Sequence, residues 1–536
     1  MRVLPAGDGM LLVELDDLSQ TLGLLASLQA EPIEGVGEIV PGARTLLVAF
    51  DAHRHSRTSL AAEFARRPLV LAAAGAGARI EIPVHYDGED LAEVAELLQI
   101  TPQEVVRRHS GSDWFVAFTG FAPGFAYLTG GDELLRSVPR RASPRTRIPP
   151  GAVAVAGGFS GVYPKASPGG WQILGQTFTP MWDLARDPPA LLQPGQRVRF
   201  VDAGQRPDSA AETSTPAETR ATAPVKAPAL EIRSPGLQAL LQDLGRPGRA
   251  GLGVAASGAM DRGALRAANR LVGNAADAAC IEVAQGGFEL ASRGDTVVAV
   301  TGASGPLTLT APDGRQWPVP RHAPLALSEG DRLRLGEPEA GVRSYVAVRG
   351  GIDRVPVLGS LAFDTLAQVG LPPLAAGDLL AVRPQPGGAP VGLPGLSRDL
   401  PKPGDLVMLD VQLGPRADWF TLDALELLFT QDWTVTPQSN RVGVRVQGER
   451  PLTRAIPAEL PSEGTALGAI QVPANGQPVL FLADHPLTGG YPVIGCIAPW
   501  HLDLAGQVPV GARIRFRVAA GFDPIDLPRR TSRDPS

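Results

Sequence analysis

The sequence predicts a mainly β protein, with an α+β subdomain at the N-terminus and several β-barrels in two fused domains. Three observations support this fold class. The chain has 536 residues, which exceeds one ordinary hydrophobic core and suggests about three or four domains. A stretch rich in Pro, Ala, Thr and Ser divides the chain, and strand-like segments recur in the same order on both sides of it.

The predicted α+β subdomain covers residues 1–83. MLLVEL and TLLVAFD have the composition of strands, and the apolar spacing of LSQTLGLLASLQA between them is typical of a helix. The first predicted barrel covers residues 84–202. It begins with helical spacing between Asp90 and His109 and continues as short strands separated by Gly and Pro.

A flexible linker is predicted at 203–229, where polar and small residues replace hydrophobic periodicity. A second Pro- and Gly-rich stretch, 384–403, lacks an apolar period and is interpreted as a surface insertion or a connection. The second domain is therefore divided into a first β-barrel half, 230–383, and a second half, 404–524. Residues 525–536 are polar and are predicted to be a frayed tail.

Three segments of the first barrel recur near the C-terminus with similar gaps, which indicates duplicated β-barrels. The matching pairs are 151–155 with 468–472, 167–175 with 488–495, and 194–200 with 510–516. A further segment, EGDRLRL, resembles the last of these and suggests a third barrel. The alternative is convergence, because a Gly turn followed by an alternating strand arises easily in hairpins.

Charge and composition exclude several classes of protein. The net charge is −6 and the pI is about 5.8, without a basic stripe for a phosphate backbone, so nucleic-acid binding is not expected. No apolar run approaches a membrane span and the N-terminus lacks a signal-peptide pattern, so a cytoplasmic protein without membrane contact is expected. Cys280 and Cys496 have the spacing of neither a disulfide framework nor a metal site.

The common catalytic signatures are absent from the sequence. There is no GxxxxGKS/T phosphate loop, no HExxH, no GxSxG and no GxGxxG opening a βαβ unit. The lysines are Lys165, Lys226 and Lys402, and none lies in a Met-Lys-Met context, so no covalent biotin is expected on this chain. Gly-rich loops at strand ends remain as candidate sites, because their backbone N–H groups can converge on an anion.

Candidate residues of the first domain lie in neighbouring loops. Arg145, in RASPRTR, is a candidate for binding an acidic substrate or a nucleotide phosphate. Lys165 and Ser167 lie in YPKASPGG, where Lys165 is the lysine available to neutralise phosphate charge in a structured segment. The alternatives are a solvated basic loop and an ordinary surface lysine. The aromatic residues of GFAPGFAY either line a pocket or pack in the core.

The second domain begins with polar loops that supply three further candidates. Arg246, in GRPGR, is a candidate anion-binding residue. Ser257 and Asp261 form a candidate polar rim, in which Asp261 acts as a base or as a Mg²⁺ ligand. Because Asp261 also precedes a helical run, its alternative role is that of an N-cap.

Loops near the C-terminus contribute acids, an arginine and hydroxyl groups. The candidate residues there are Asn440, Arg441, Glu463, Asp484, Thr488 and Tyr491. Glu463 and Asp484 can act as an acid/base pair or as metal ligands only if the fold brings them together. The sequence alone leaves this open, and the ligands of any metal stay unknown.

Long strings of the sequence resemble two known families. GFAPGFAYL, RASPRTRIPPGAVAVAGGFSGVYPKASPGGWQILG and PGQRVRF resemble the 5-oxoprolinase B family, formerly allophanate hydrolase subunit 1. SPGLQALLQDLGRPGRAGLGVAASGAMDRGALRAANRLVGN, SNRVGVRVQG, PSEGTALGAIQVP and LADHPLTGGYPVIG resemble the 5-oxoprolinase C family, formerly allophanate hydrolase subunit 2. The resemblance covers nearly the whole chain apart from the linker and tail, and it extends to the carboxyltransferase part of urea carboxylase.

This resemblance implies cyclophilin-like β-barrels and a component of ATP-dependent 5-oxoprolinase. In that enzyme the B and C proteins act with a separate A-type subunit to open 5-oxoproline to L-glutamate while ATP is hydrolysed, so ATP, Mg²⁺ and an A-type partner are implied. One alternative is biotin-dependent carboxyl transfer to urea or a similar small amide. Another is a non-enzymatic regulator that binds a sensor histidine kinase. Each alternative is compatible with a homo-oligomer.

The resemblance also suggests roles for individual residues. Arg145 or Lys165 would stabilise transferred negative charge, and Asp261 or Glu463 would handle Mg²⁺ or a proton. The sequence departs from the pattern of the 5-oxoprolinase C family at 360–363, where SLAF replaces the expected Ser-Arg-Ser-Thr. Nucleotide or substrate contacts are therefore expected to differ there.

Overall fold

A computed structural model describes residues 1–69, 79–141, 143, 145–205, 228–384 and 389–528. Most of the predicted linker at 203–229 and part of 384–403 lie outside these residues. The mainly β fold class is confirmed, and its β-sheets include one closed barrel and one seven-stranded sheet.

The N-terminal unit is a sheet of four strands with two helices, and a fifth strand from the C-terminal end of the chain joins this sheet. Its elements are β1 (Arg2–Pro5), β2 (Met10–Glu14), α1 (Leu18–Ala30), β3 (Val36–Pro41), β4 (Thr45–Phe50) and α2 (Arg57–Arg66). The side chain of Asp17 caps α1 by accepting from the backbone of Gln20, and Ser56 forms a capping box with Ser59 at α2. The predicted α+β character of this region is therefore confirmed.

The first barrel-like unit is built on a seven-stranded sheet. Its elements are β5 (Arg79–Val84), α3 (Leu91–Leu97), α4 (Pro102–Gly111), β6 (Trp114–Thr119), β7 (Ala126–Gly130), β8 (Arg145–Ile148), β9 (Ala152–Ala156), β10 (Phe159–Val162), β11 (Ser167–Gly169), β12 (Gln172–Gln176) and β13 (Arg197–Asp202). The sheet order is β12-β9-β10-β7-β6-β13-β5, and β8 pairs with β11 separately. Because β5 pairs along its whole length with β13, the unit begins before residue 83, where the sequence analysis places the boundary.

The next unit consists of two facing sheets and a helix. Its elements are β14 (Ala229–Pro235), β15 (Gln238–Gln242), α5 (Arg262–Val272), β16 (Cys280–Ala284), β17 (Phe288–Arg293), β18 (Thr296–Ser304), β19 (Leu307–Thr310), β20 (Gln316–Pro318), β21 (Pro324–Leu327), β22 (Arg332–Leu335), β23 (Ala340–Val348) and β24 (Leu379–Ala381). Apolar residues of both sheets, such as Phe288 and Val346, form one core. Helix α5 packs on β18 and β23.

The last unit is a closed seven-stranded barrel. Its elements are β25 (Leu406–Leu413), α6 (Leu422–Thr430), β26 (Trp433–Val435), β27 (Gly443–Gln447), β28 (Glu463–Gly464), β29 (Ala469–Gln471), β30 (Val479–Phe481), β31 (Thr488–Gly489), β32 (Val493–Ile497), α7 (Pro499–Ala505) and β33 (Arg513–Ala520). The strand order is β25-β32-β29-β30-β27-β26-β33, and β28 pairs with β31 separately.

The two seven-stranded units have the same topology, which supports the predicted duplication. Each strand of β12-β9-β10-β7-β6-β13-β5 has its counterpart in β32-β29-β30-β27-β26-β33-β25, including the parallel pairs β13–β5 and β33–β25. The indoles of Trp114 and Trp433 donate to carbonyls five residues earlier, at 3.1 and 3.0 Å. The suggested third copy forms β22, which is antiparallel to both neighbours, so the convergent alternative fits that segment.

The two ends of the chain meet in the N-terminal sheet. Strand β34 (Ile525–Asp526) pairs with β1, and the backbone N–H of Leu527 donates to Met1 at 3.0 Å. Ile525 and Leu527 pack against the N-terminal core, so the first residues of the predicted frayed tail are ordered, and the tail from residue 529 lies outside the described residues. None of the helices described here is long and apolar enough to cross a membrane.

Candidate active site at the junction of the barrels

Loops of three β units meet at one junction. The loop 120–125, from the GFAPGF segment, connects β6 and β7 of the first barrel-like unit. The backbone N–H of Phe121 donates to Thr488 of the closed barrel at 2.9 Å. Gly253 of the middle unit lies so close that a Cβ there would be 2.6 Å from the carbonyl oxygen of Ala122. Glycine at 253, with φ +76°, therefore permits the contact.

The aromatic residues of this segment have different environments. Phe125 and Tyr127 are buried, and both rings contact Trp171, with centroids 5.4 and 5.6 Å apart. These two residues belong to the core rather than to a pocket wall. Phe121 is only partly buried, so it remains the aromatic residue of the segment that can contact a ligand.

A buried ionic network joins the closed barrel to the middle unit. Arg441 donates from Nε to Asp484 at 2.8 Å and from Nη2 to the same carboxylate at 2.9 Å. Its Nη1 donates to Glu282 on β16. Burial alone would raise the pKa of Asp484, but the charge and hydrogen bonds of Arg441 and a hydrogen bond from Ser257 hold it below its ordinary value. Asp484 is therefore a paired carboxylate.

The carboxylate of Asp484 also positions two loops. Ser257, which has a positive φ of 55°, donates from its hydroxyl to Asp484 at 2.6 Å. Thr365 donates to Asp484 from its backbone N–H at 2.9 Å and from its hydroxyl at 2.7 Å. Three residues predicted from separate motifs, Ser257, Arg441 and Asp484, thus lie together and fix the loop 360–368.

Asp364, on this loop, is a buried carboxyl that the sequence analysis missed. Its Oδ1 accepts from the backbone N–H groups of Leu366 and Ala367 at 2.9 and 2.8 Å, and the residue is 1% exposed. Burial and then the negative charge of Asp484 raise the pKa of Asp364 to about 7. The carboxyl can therefore accept or donate a proton near neutral pH.

Arg246 is buried beside the loop with unused hydrogen-bond donors. The residue is 2% exposed, and one Nη donates to the carbonyl of Ala362. Its Nε and other Nη have no partner among the described residues. Each such buried donor costs roughly 1–3 kcal/mol when it stays unpaired. Burial lowers the pKa of Arg246, and the charge of Asp364 opposes this effect. The arrangement favours a bound anion.

Lys165 approaches the same loop from the first barrel-like unit. Its Nζ donates to the carbonyl oxygens of Ala367 and Gln368 at 3.0 and 3.1 Å. Burial lowers the pKa of Lys165, whereas the charge of Asp364 acts in the opposite direction. We call Lys165, Arg246 and Asp364 the junction site. It combines two cations with a carboxyl group that titrates near neutral pH.

Two other predicted residues lie in ion pairs, and the buried Oε1 of Glu463 has no hydrogen-bond partner among the described residues. Arg145 binds Asp90 with both terminal nitrogens, at 2.8 and 2.6 Å, and this hydrogen bonding raises the pKa of Arg145. Glu463 accepts from Nε and Nη2 of Arg416 at 2.9 and 2.7 Å. Burial raises the pKa of Glu463, and Arg416 opposes this. Glu463 and Asp484 thus bind different arginines and form no acid/base pair with each other.

Asp261 is the N-cap of α5, as its alternative interpretation suggests. Its Oδ1 accepts from the backbone N–H of Ala264 at 2.8 Å, while Oδ2 accepts from Gln507 at 2.9 Å and from Arg398. Burial raises the pKa of Asp261, and the charge of Arg398 opposes this. Every oxygen of this carboxylate therefore has a protein partner.

The remaining candidates are spread over the loops. Ser167 begins β11, and its buried hydroxyl has no partner among the described residues. Asn440 accepts from the backbone of Val442 at 2.9 Å, as in an Asx turn. The ring of Tyr491 lies under the guanidinium of Arg454, 5.6 Å from its centroid. None of these contacts reaches the junction site.

The described residues contain no group of three or more His, Cys, Asp and Glu side chains that could hold a metal ion. Mg²⁺ that accompanies a nucleotide takes most of its ligands from phosphate oxygens and water, and needs only one or two carboxylates. Asp364 can supply one such ligand.

A cavity of about 610 Å³ lies away from the junction site, between the N-terminal unit and β25, and its lining includes His53, Arg57 and Gln412.

Comparison with known proteins identifies two matching families. Residues 252–518 match the carboxyltransferase domain, subdomain A and B, and residues 1–192 match the carboxyltransferase domain, subdomain C and D. The crystal structure of TTHA0988 is 34% identical, with a TM-score of 0.77, and the match covers 95% of this chain and 99% of that one.

Three curated relatives match parts of the chain. The C subunit of 5-oxoprolinase from Escherichia coli K12 is 36% identical over 296 residues, 54% of this chain and 90% of that protein. The B subunit of 5-oxoprolinase from Escherichia coli O157:H7 is 50% identical over 125 residues, 23% of this chain and 57% of that protein. Urea amidolyase of Lachancea kluyveri is 32% identical over 314 residues, 54% of this chain but 17% of that protein.

Proposed function

The chain belongs to the carboxyltransferase-domain family as a fusion of B-type and C-type parts of 5-oxoprolinase, and we propose that it is the ATP-dependent component of such an enzyme. With a separate A-type subunit, it would convert 5-oxoproline, ATP and water to L-glutamate, ADP and phosphate. The observation that carries the proposal is the buried, incompletely paired guanidinium of Arg246, which, like Lys165, lies within the electrostatic influence of Asp364.

The chemistry of 5-oxoproline fits these three side chains. The substrate carries a carboxylate, for which the free N–H groups of Arg246 are suitable donors. Its lactam carbonyl is a poor electrophile, and transfer of the γ-phosphoryl group of ATP to the carbonyl oxygen would turn that oxygen into a leaving group. Lys165 would offset negative charge on the transferred group.

Asp364 would handle the proton that this step releases. When the lactam oxygen bonds to the γ-phosphorus and the bond to ADP breaks, the lactam nitrogen gives up its proton, and a phosphorylated imidate with an uncharged ring nitrogen forms. A carboxylate whose pKa is raised to about 7 can accept that proton. Addition of one water and cleavage of the carbon–nitrogen bond would open the ring to an acyl phosphate, and a second water would release phosphate and L-glutamate, with the A-type subunit taking part.

The proposal is tested with the full chain, a cognate A-type subunit, 5-oxoproline, ATP and Mg²⁺, by measuring L-glutamate and ADP together. Arg246→Gln should lower kcat/KM by at least about 10²-fold, the usual effect of removing one donor to developing charge. Its thermal stability should change little, because the hydrogen bond to the carbonyl of Ala362 is lost while two unpaired buried donors are removed. Arg315→Gln is the matched control, since Arg315 is 79% exposed and pairs with the nearby Asp313. Equal turnover in both variants would remove Arg246 from the site.

A second candidate function is biotin-dependent carboxyl transfer to urea or a similar amide. The carboxyltransferase family description and the match to urea amidolyase favour it. Its biotin would be supplied by another protein, and the same cations would hold the transferred carboxyl group. Carboxybiotin consumption that depends on the chain and on the amide, without glutamate formation, would replace the first function with this one.

A further inference from the structure

Ser257 is a buried residue with a strained backbone at the junction of the barrels. It is 2% exposed, so its hydroxyl is not available to a ligand. Its φ of +55° lies in the left-handed region, which is uncommon for a residue with a side chain and persists only where the surrounding structure enforces it. Because such strain is concentrated at functional sites, the contacts that enforce it indicate the role of Ser257.

The side chain of Ser257 connects to Asp364 through one carboxylate. Its hydroxyl donates to Oδ1 of Asp484 at 2.6 Å, while Oδ2 of Asp484 accepts from the backbone N–H and the hydroxyl of Thr365, at 2.9 and 2.7 Å. Because Thr365 directly follows Asp364 in the chain, these bonds fix the backbone beside the ionisable carboxyl. The ion pair of Asp484 with Arg441 lies within the closed barrel, so the hydrogen bond from Ser257 is a direct link between this carboxylate and the middle unit.

The backbone around Ser257 connects to Arg246. The backbone N–H of Arg246 donates to the carbonyl oxygen of Ala256 at 2.8 Å. The two segments also approach closely, since a Cβ at Gly245 would lie 2.4 Å from the carbonyl oxygen of Ala256 and 2.6 Å from that of Ser257. Close packing transmits displacements, so a movement of Ser257 would also move the backbone that carries Arg246.

The start of the loop 360–368 has its own anchor on the segment of Arg246. Asp243, on that segment, accepts from the hydroxyl of Ser360 at 2.6 Å and from the next backbone N–H at 2.7 Å. The later part of the loop, which carries the ionisable carboxyl, is held instead through the carboxylate that Ser257 binds. Loss of the Ser257 hydroxyl should therefore loosen the later part of the loop and leave its start in place.

We propose that Ser257 is a positioning residue that sets the distance between Arg246 and Asp364. Its hydroxyl holds Asp484, and through it the part of the loop that carries Asp364, while its backbone holds the segment of Arg246. Ser257 itself contacts no reactant. The consequence for catalysis rests on the proposed function, whereas the positioning of Asp364 can be measured without turnover.

Turnover of Ser257→Ala and Ser257→Gly with the A-type subunit tests the consequence for catalysis. Both variants lose the hydroxyl, and we expect kcat/KM for glutamate formation to fall by about 10- to 100-fold, because small misplacements of aligned groups are costly. Glycine adopts a positive φ without strain, so Ser257→Gly should melt at a higher temperature than Ser257→Ala although both are slow. Ser292→Ala is the matched control, since it removes a buried hydroxyl that donates to the carbonyl of Gly294 at 2.6 Å, and it should keep wild-type turnover.

The pH dependence of unfolding separates positioning from a general loss of stability. The charged side chains that act on Asp364 or lie within its influence are Asp484, Arg441, Lys165 and Arg246. Ser257→Ala keeps all of them but loosens the loop, so water reaches the carboxyl and the pKa of Asp364 should move from about 7 down toward its ordinary value. A raised pKa in the folded state stabilises it at low pH and loses this effect as pH rises. The free energy of unfolding should therefore fall less between pH 5 and pH 8 in Ser257→Ala than in the wild type.

The same measurement in an Asp364→Asn background shows whether the effect acts through Asp364. There, Ser257→Ala should cause no further change in pH dependence, because the ionisable group is gone. Slow turnover in both Ser257 variants, with a pH effect that is lost in Asp364→Asn, supports the proposal. Wild-type turnover in Ser257→Gly, equal pH dependence in Ser257→Ala and wild type, or a pH effect that persists in Asp364→Asn overturns it. A wild type that forms no glutamate but shows the coupling between positions 257 and 364 would reject the proposed function and leave the positioning role in place.

Discussion

Replacement of Asp364 by Asn separates the proposed proton transfer from the stability of the loop that carries it. Asn keeps an oxygen for the two backbone N–H groups that now bind Oδ1 and removes the ionisable group. We expect the rate of glutamate formation to fall by about 10²–10⁴-fold, the usual contribution of a positioned acid or base. The inflection near pH 7 in the pH profile of kcat/KM should also disappear in this variant.

The Asp364→Asn variant should be more stable than the wild type, although its activity falls. The pKa of Asp364 is raised from 3.8 to about 7 in the folded protein, so the folded state binds this proton more tightly than the unfolded state does. The stabilisation is complete below about pH 4 and is lost as pH rises toward 7. At about 1.4 kcal/mol for each tenfold change in proton affinity, ionised Asp364 destabilises the fold by up to about 4 kcal/mol at pH 8.

Urea denaturation at pH 5 and pH 8 measures this difference. Asp364→Asn should raise the free energy of unfolding relative to wild type by more at pH 8 than at pH 5. The increase at pH 8 should be at most about 4 kcal/mol. Asp353→Asn is the control, because Asp353 is 62% exposed and pairs with Arg383 at the surface; it should change stability by less than about 0.5 kcal/mol. A variant that is less stable than wild type at pH 8, with unchanged activity, would refute both the raised pKa and the proposed role.

Three further predictions concern other parts of the chain. Lys165→Met should lower glutamate formation at least about 10²-fold, whereas Lys402→Met, an exposed lysine, should not; equal loss in both would contradict a role at the junction. Arg441→Met should cost about 3–5 kcal/mol in urea denaturation, because it leaves the buried carboxylate of Asp484 without its cation and Glu282 with only its longer contact to Arg343, and a loss below about 1 kcal/mol would show that the network contributes little. Truncation after residue 524 removes the apolar contacts of Ile525 and Leu527 with the N-terminal core, so it should lower stability by about 1–2 kcal/mol, and an unchanged melting temperature would argue against that pairing.

The sequence predicts the duplicated units because their signals are local. A Gly turn followed by alternating residues specifies a strand and its neighbour, and the recurring segments include β9, β12 and β13 and their counterparts β29, β32 and β33. The same local signal in EGDRLRL gives a strand with a different topology. Pattern alone therefore identifies hairpins, and recurrence of several segments in order is needed to identify a duplicated unit.

The site is less predictable because its residues come from distant segments. Lys165 lies 202 residues before its partner Ala367, and Ser257 lies 227 residues before Asp484. Such contacts depend on how whole units dock, which periodicity does not encode. Asp364 lies in no recognised motif, and the signal that could have indicated it is its place directly after SLAF, where the sequence departs from the family pattern.

Arg145 and Glu463, which the sequence suggests as functional residues, occupy equivalent positions in the two duplicated units. Arg145 on β8 is opposite Gly169 of β11, and Glu463 on β28 is opposite Gly489 of β31. These are equivalent positions in two units of the same strand order. Each side chain binds a residue that begins the short helix after the first strand of its unit, Asp90 before α3 and Arg416 before a 3₁₀ turn.

The polarity of the ion pair is reversed between the two units while its position is kept. In one unit an arginine on the two-stranded sheet binds an aspartate, and in the other a glutamate binds an arginine. A group that binds an anion or moves a proton needs a particular charge, whereas an ion pair that closes the end of a barrel works with either polarity. The reversal therefore favours a structural role for Arg145 and Glu463, and leaves Lys165, Arg246 and Asp364 as the residues that can carry the chemistry.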